Sequence, residues 1–326
     1  MYGGMRSHRG ACPPQSTTND QMTPEMFDRR HLFRWTALAG VAVLGGGAAA
    51  FEFVDHSDVL GHQALITFLG DCTVSVPPMS FSSLGPMHSG TFFSHARHQT
   101  VGYSIAYPPG HKPGSQLPLV VMLHGFGGNH TNAVAGMSPA QAVALHVDGK
   151  PIPPMAMVTV DGGGGYWNAH PKDNPSAMVV EELIPMCQKR GLGRPPHKIG
   201  AMGISMGGYG ALLLAEKHPH LFSAVAAISP AIWTSYAQAR AANPGAYASG
   251  QDFVGDNAVT HAHALTGIPI RVASGNDDPF HPGVEALTRT LPPGAIVQFS
   301  KGCHTGSFFT SQEPPSLAFL AHHLTA

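Results

Sequence analysis

A doubly wound α/β fold with a mostly parallel central sheet is predicted for this chain, on three observations. Short apolar runs recur from residue 90 onward, among them LVVML (119–123), AMVTV (156–160) and AVAAI (224–228). Such near-continuous runs suit strands buried on both faces of a parallel sheet. Helix-patterned stretches alternate with them. At Gly203-Ile204-Ser205-Met206-Gly207 a strand pattern passes directly into a helix pattern, through a turn framed by glycines.

Before this region the chain reads differently. Residues 28–34 are D-R-R-H-L-F-R, no charge follows from Trp35 to Phe51, and the run ends in Ala48-Ala49-Ala50. Residues 1–50 therefore resemble a twin-arginine export signal with a small-residue cleavage site, although Asp28 stands where Ser or Thr is usual and Leu32-Phe33 is inverted. One alternative is an uncleaved membrane anchor, marginal in length for a bilayer core of about 30 Å. Another is a cytosolic chain with an incidental arginine pair. Residues 51–89 hold prolines at 77, 78 and 86 and one apolar run, Ala64–Leu69, and form an N-terminal extension.

The domain proper is expected over 90–326. Its strands are placed at 90–96, 101–108, 118–124, 155–161, 197–205, 223–229, 269–275 and 295–300. Helices are placed at 176–191, with Ser176 as N-cap and Gly191 as stop, at 206–219 and at 313–324. The stretch 231–266, with Trp233, Tyr236, Tyr247 and Phe253, is read as a small cap insertion over a site; the plainer alternative for each aromatic is packing. The loop 161–175, carrying Tyr166 and Trp167 on a glycine run, is a second candidate pocket wall.

Composition removes several classes. Of 326 residues 11% are charged and the net charge is −1, so no basic nucleic-acid surface is expected. The 21 histidines are scattered without H-E-x-x-H or Cys/His-knuckle spacing, so neither metal nor other cofactor is expected. Asp161-Gly-Gly-Gly-Gly lacks the Lys-Ser/Thr of a phosphate loop. The four cysteines show no scaffold spacing, and Cys303 is read as a buried structural thiol.

With 39 glycines in the chain, a chance G-x-S-x-G is not rare, and Ser205 could occupy an ordinary glycine-rich turn. Its neighbours favour a nucleophile. Between a strand and a helix, the turn lifts the hydroxyl above the C-terminal edge of the sheet at the positive end of the helix. A carboxylate and then a histidine follow, each just past a later strand: Asp277-Asp278 after 269–275 and His304 after 295–300. His304 would take the Ser205 proton and the carboxylate would hold the imidazole. Gly125-Phe126-Gly127-Gly128, after the strand ending at His124, would aim the Phe126 amide at a developing oxyanion, with Met206 as the second donor.

LVVMLHGFGGN, EELIP, IGAMGISMGGYGALLLAEKHPHLFSAVAAISP, SGNDDPF and KGCHTGSFF resemble the esterase D branch of the α/β-hydrolases. That branch includes S-formylglutathione hydrolases, feruloyl and acetylxylan esterases and secreted mycolyltransferases, and the similarity spans residues 90–326. The resemblance implies an α/β-hydrolase fold and serine hydrolysis of carboxylic esters through an acyl-enzyme. The family pattern G-x-x-D-x-F selects Asp278 over Asp277 as the acid. An aromatic usually stands two residues after the histidine; Thr305-Gly306-Ser307-Phe308 departs from this. His124, Trp167 and Trp233 are assigned to substrate binding. The substrate would be a small-molecule, lipid or carbohydrate ester, met in the cell envelope or outside the cell, with membrane association if the leader is retained. The alternatives are acyl transfer to a sugar or lipid alcohol and a catalytically silent envelope protein.

Overall fold

The computed structural model describes residues 72–326. The export signal expected at 1–50, and the extension up to residue 71, lie outside the described residues. Elements follow in chain order: β1 (Ser80–Phe81), β2 (Met87–Ser94), β3 (Gln99–Ala106), β4 (Leu119–Leu123), α1 (Pro139–Ala142), β5 (Leu145–Val147), β6 (Lys150–Pro151) and β7 (Ala156–Val160). Next come α2 (Pro175–Ala177), a π-helical turn (Met178–Leu183), α3 (Ile184–Lys189), β8 (Ile199–Ile204), α4 (Met206–Lys217) and β9 (Ala224–Ile228). The chain ends with α5 (Tyr236–Ala242), α6 (Gly250–Gly255), α7 (Ala258–His261), a 3-10 turn (Ala262–Leu265), β10 (Ile270–Gly275), α8 (His281–Thr288), β11 (Ile296–Ser300) and α9 (Gly306–Thr325).

Eight strands form one sheet in the order β11-β10-β9-β8-β4-β7-β3-β2. All pairings are parallel except those of β3, which runs antiparallel to both β2 and β7. These are the eight strands expected from the apolar runs, with ends moved by a few residues. Every residue of β4, β7, β8, β9 and β10 is buried, as strands covered on both faces require.

Strand periodicity divides β4 between two cores. Leu119, Val121 and Leu123 face a cluster with Val179, Leu183, Leu212, Leu213 and Val284, so the π-helical turn, α4 and α8 cover that side. Val120 and Met122 face a second cluster with Leu317, Leu320 and Leu324 of α9. A small antiparallel sheet, β1-β5-β6, was not anticipated; its strands of two or three residues carry no readable period.

Three local expectations change. The helix expected at 176–191 is capped by Asn174, whose side chain accepts the Ala177 N–H, while Ser176 Oγ donates to the Trp167 carbonyl. The C-terminal helix begins at Gly306 rather than 313 and continues through Pro314 and Pro315. Cys303 is not a free thiol but is bonded to Cys72, across 231 residues of sequence. Among the described residues the free thiol is the buried Cys187.

The 231–266 insertion holds α5 to α7 and packs on α4 through buried Trp233, Ala239, Tyr247, Phe253 and Leu265. Tyr209 Oη donates to the Asp256 carbonyl and to Asn168 Oδ1, while Asn168 Nδ2 donates to the Ala246 carbonyl. The insertion is thereby tied to the 161–175 loop.

Candidate active site

Ser205 sits between β8 and α4 at φ 57°, ψ −121°, a conformation unfavourable for a side-chain-bearing residue. The surroundings hold it there. Its N–H donates to the Ile228 carbonyl at 2.9 Å, and its carbonyl accepts from Tyr209 and Ala231, both at 3.0 Å. Both flanking glycines are sterically required: a Cβ on Gly203 would strike the Gly207 carbonyl, and one on Gly207 would strike the Leu123 carbonyl. The serine thus stands at the C-terminal edge of the sheet, against the N-terminus of α4.

His304 arrives from the short loop between β11 and α9. Its Nε2 lies 2.8 Å from Ser205 Oγ, and its Nδ1 lies 2.9 Å from Asp278 Oδ2. Asp278 is 2% exposed, and its other oxygen accepts the Phe280 N–H at 2.8 Å. With Nδ1–H donated to the carboxylate, Nε2 is left as the acceptor for the serine hydroxyl. Asp277 is bound through its backbone, its N–H donating to the Gly302 carbonyl at 3.0 Å.

The Phe126 and Met206 amides belong to the two turns that flank Ser205. Gly128 N–H donates to the Gly125 carbonyl at 3.0 Å, and Gly127 adopts φ 76°, which describes a type II turn with Phe126 and Gly127 at its centre. That hydrogen bond leaves the Phe126 amide unused. A Cβ at Gly125 would stand 3.6 Å from the Ser205 Cβ, so the turn lies directly beside Ser205. Met206 is the first residue of α4, where the helix itself supplies no partner for the N–H.

The substrate-binding assignments need correction. His124 and Trp167 are completely buried. The Gly162 N–H donates to His124 Nε2 at 2.9 Å, and Nδ1 lies 2.8 Å from the Gly125 carbonyl. Burial lowers the His124 pKa, only partly opposed by the Gly125 hydrogen bond, so the ring is a neutral brace. Trp167 donates Nε1–H to the His124 carbonyl and lies over Gly162 and Gly210, where a Cβ would collide with its ring. Trp233 is 6% exposed and stacks edge-on to Phe280 at 4.7 Å, so it reaches the site through Phe280.

Two aromatic neighbours emerge instead. Phe280 and Phe309 flank the His304 ring at 5.1 and 4.9 Å between centroids. Phe309, on the first turn of α9, stands where the sequence reading saw only a departure from the family spacing; Phe308 is buried in the core.

An ion-pair system also went unseen. Arg97, 7% exposed, donates through Nε and Nη2 to Asp173 at 2.7 and 3.0 Å and through Nη1 to the Asp161 carbonyl at 2.6 Å. Burial alone would raise the Asp161 carboxyl, but hydrogen bonds from His130 and Gly102 outweigh it and lower its pKa. The loop that carries Tyr166 and Trp167 is clamped at both ends. Those two residues adopt φ 58° and 59°, a strained pair that such clamping sustains.

The family model named Esterase matches residues 94–292, more than half of the chain. The chain belongs to the Esterase family. No curated protein matches this esterase in sequence, but solved structures do. A ferulic acid esterase is 18% identical, with a TM-score of 0.58, covering 73% of this chain and 98% of its own. The S-formylglutathione hydrolase from Agrobacterium tumefaciens is 16% identical, with a TM-score of 0.57, covering 77% and 100%. MPT51 (FbpC1) of Mycobacterium tuberculosis is 15% identical, with a TM-score of 0.54, covering 76% and 100%. These likenesses establish the α/β-hydrolase fold of this esterase.

Proposed function

We propose that this esterase is an exported serine hydrolase cleaving small carboxylic esters through an acyl-enzyme, with Ser205 as nucleophile, His304 as base and Asp278 as orienting acid. The observation that carries the reading is the relay of 2.8 and 2.9 Å contacts through the two nitrogens of His304. Ser205 Oγ attacks the ester carbonyl carbon while its proton passes to His304 Nε2. The Phe126 and Met206 amides receive the oxyanion, and the positive end of α4 adds to the field. His304 returns the proton to the departing alcohol, and water reaches the acyl carbon by the same path in reverse.

Water rather than an acceptor alcohol completes the cycle in this reading, in line with the family match. Product analysis of a p-nitrophenyl ester with and without acceptor sugars tests that point; free acid should dominate in both. Export is supported by the arginine pair of the leader and by the Cys72–Cys303 bond, since disulfides persist in oxidising compartments. Ser205→Ala should lower kcat by about a thousandfold or more while far-UV circular dichroism stays unchanged. Activity within tenfold of wild type would remove Ser205 from the chemistry.

A further inference from the structure

Cys303 directly precedes His304, and its sulfur is bonded to Cys72. The loop between them and the helix is short: β11 ends at Ser300 and α9 begins at Gly306. Two backbone hydrogen bonds shape it. The Gly302 carbonyl accepts from Asp277 N–H at 3.0 Å, and the Cys303 carbonyl accepts from Thr305 N–H at 2.9 Å. The first ties the loop to the acid's loop and the second closes the loop on itself.

The opposite side of this loop is covered by the chain that follows Cys72. A Cβ on Gly302 would meet Val74 Cγ2 at 2.9 Å. Beyond Val74, residues 75–78 are exposed and include Pro77 and Pro78. The chain rejoins the body of the protein only at Met79 and Phe81, through partial burial and the β1–β5 pairing. Val74 packs on the core beside Gly302, residues 75–78 stand exposed after it, and the covalent bond ties this segment directly to the residue before His304.

We propose that the Cys72–Cys303 bridge is a positioning device for His304, holding the imidazole in line between Ser205 and Asp278, so that ester turnover requires the oxidised chain. Cys72 and Cys303 act through His304 and not on the substrate. The inference rests on the reading of His304 as the base. A misplacement of about 1 Å at such a relay costs on the order of 100-fold in rate, so loss of the bridge should be felt in kcat and not in KM.

The test uses the full chain with p-nitrophenyl acetate in three forms: oxidised, reduced by dithiothreitol, and as Cys72→Ser. On reduction the dithiol supplies two electrons and two protons and becomes a cyclic disulfide; the S–S bond breaks and both cysteines become thiols. Expected results are a fall in kcat of about 10- to 100-fold, with KM changed by less than about threefold. Fluorophosphonate labelling of Ser205 should slow in parallel, far-UV circular dichroism should hold, and reoxidation of the wild type should restore the rate. Reduction of the folded wild type gives the answer even where Cys72→Ser fails to fold. Unchanged kcat and labelling rate in the reduced protein would overturn the proposal. So would activity loss that tracks loss of ellipticity, because the bond would then support the fold rather than the ring. His304→Ala separates the two ideas: if that variant turns over normally, the assignment of the base is wrong, whatever the bridge does.

Discussion

Asp278 and its neighbour Asp277 are chemically identical, and only their surroundings assign them work. Asp278 is almost fully buried, with one oxygen on the Phe280 amide and the other on His304. With its oxygen kept on the Phe280 N–H, an amide at 278 would turn its NH2 to His304 Nδ1 and favour the wrong tautomer, and it could not stabilise an imidazolium. Asp278→Asn should therefore lower kcat by about a thousandfold or more, whereas Asp277→Asn should stay within about twofold, its side chain lying outside the relay. Steady-state kinetics on one chromogenic ester checks both, and a larger loss at 277 would reverse the assignment. The family pattern G-x-x-D-x-F points to the residue whose carboxylate meets His304. His124 and Trp167 were not legible. His124 follows directly on a strand and Trp167 lies in the loop after another, but the burial of the indole is set by glycines at 162 and 210 that let it press against the backbone. Gly210, the third glycine at the start of α4, was the available signal.

At the scale of elements, the five interior strands β4, β7, β8, β9 and β10 could be read most directly, because strands buried on both faces have little choice but to be continuously apolar. The start of α9 could not be read in the same way, because Pro314 and Pro315 resemble a helix start while Thr305 caps the true one. The Gly125–Gly128 turn permits a sharp test of the proposed oxyanion donors. Phe126 occupies the second position of a type II turn, where proline is well accommodated. Phe126→Pro would therefore keep the turn but delete the N–H. It should lower kcat by about 100- to 1000-fold, whereas Phe126→Ala, which retains the amide, should stay within about threefold. Equal losses in the two variants would show that the 67%-exposed ring, and not the backbone amide, contributes at this position. The Cys72–Cys303 pairing belongs to this scale too, and no local pattern could have revealed a bond between segments so distant in sequence.

For the molecule as a whole, buried ionisable groups set how stability responds to pH. Burial pushes the Glu216 carboxyl up from 4.5 to about 9, with the Lys217 ammonium opposing in part. One of its oxygens, Oε1, has no hydrogen-bond partner among the described residues. Burial likewise raises Glu313, against a hydrogen bond from the Ala135 N–H. A folded chain that keeps these protons while the unfolded chain releases them binds more protons than its unfolded form. Its stability must then fall with rising pH, for Glu216 from about 4.5 up to about 9. Burial lowers His124, His218 and His323 below 6.5; for them the unfolded state binds more protons, so stability rises with pH until 6.5 is passed. Above pH 7 only the raised groups still act, and the melting temperature should decline toward pH 9. Glu216→Gln mimics the neutral acid in shape and cannot ionise. The variant should melt at least about 3 °C above wild type at pH 8.5, with the gap closing by pH 4.5, where wild-type Glu216 is protonated in the folded chain and half-protonated when unfolded. A difference that is the same at both pH values would mean that Glu216 is already ionised in the folded protein, with its charge satisfied by Lys217.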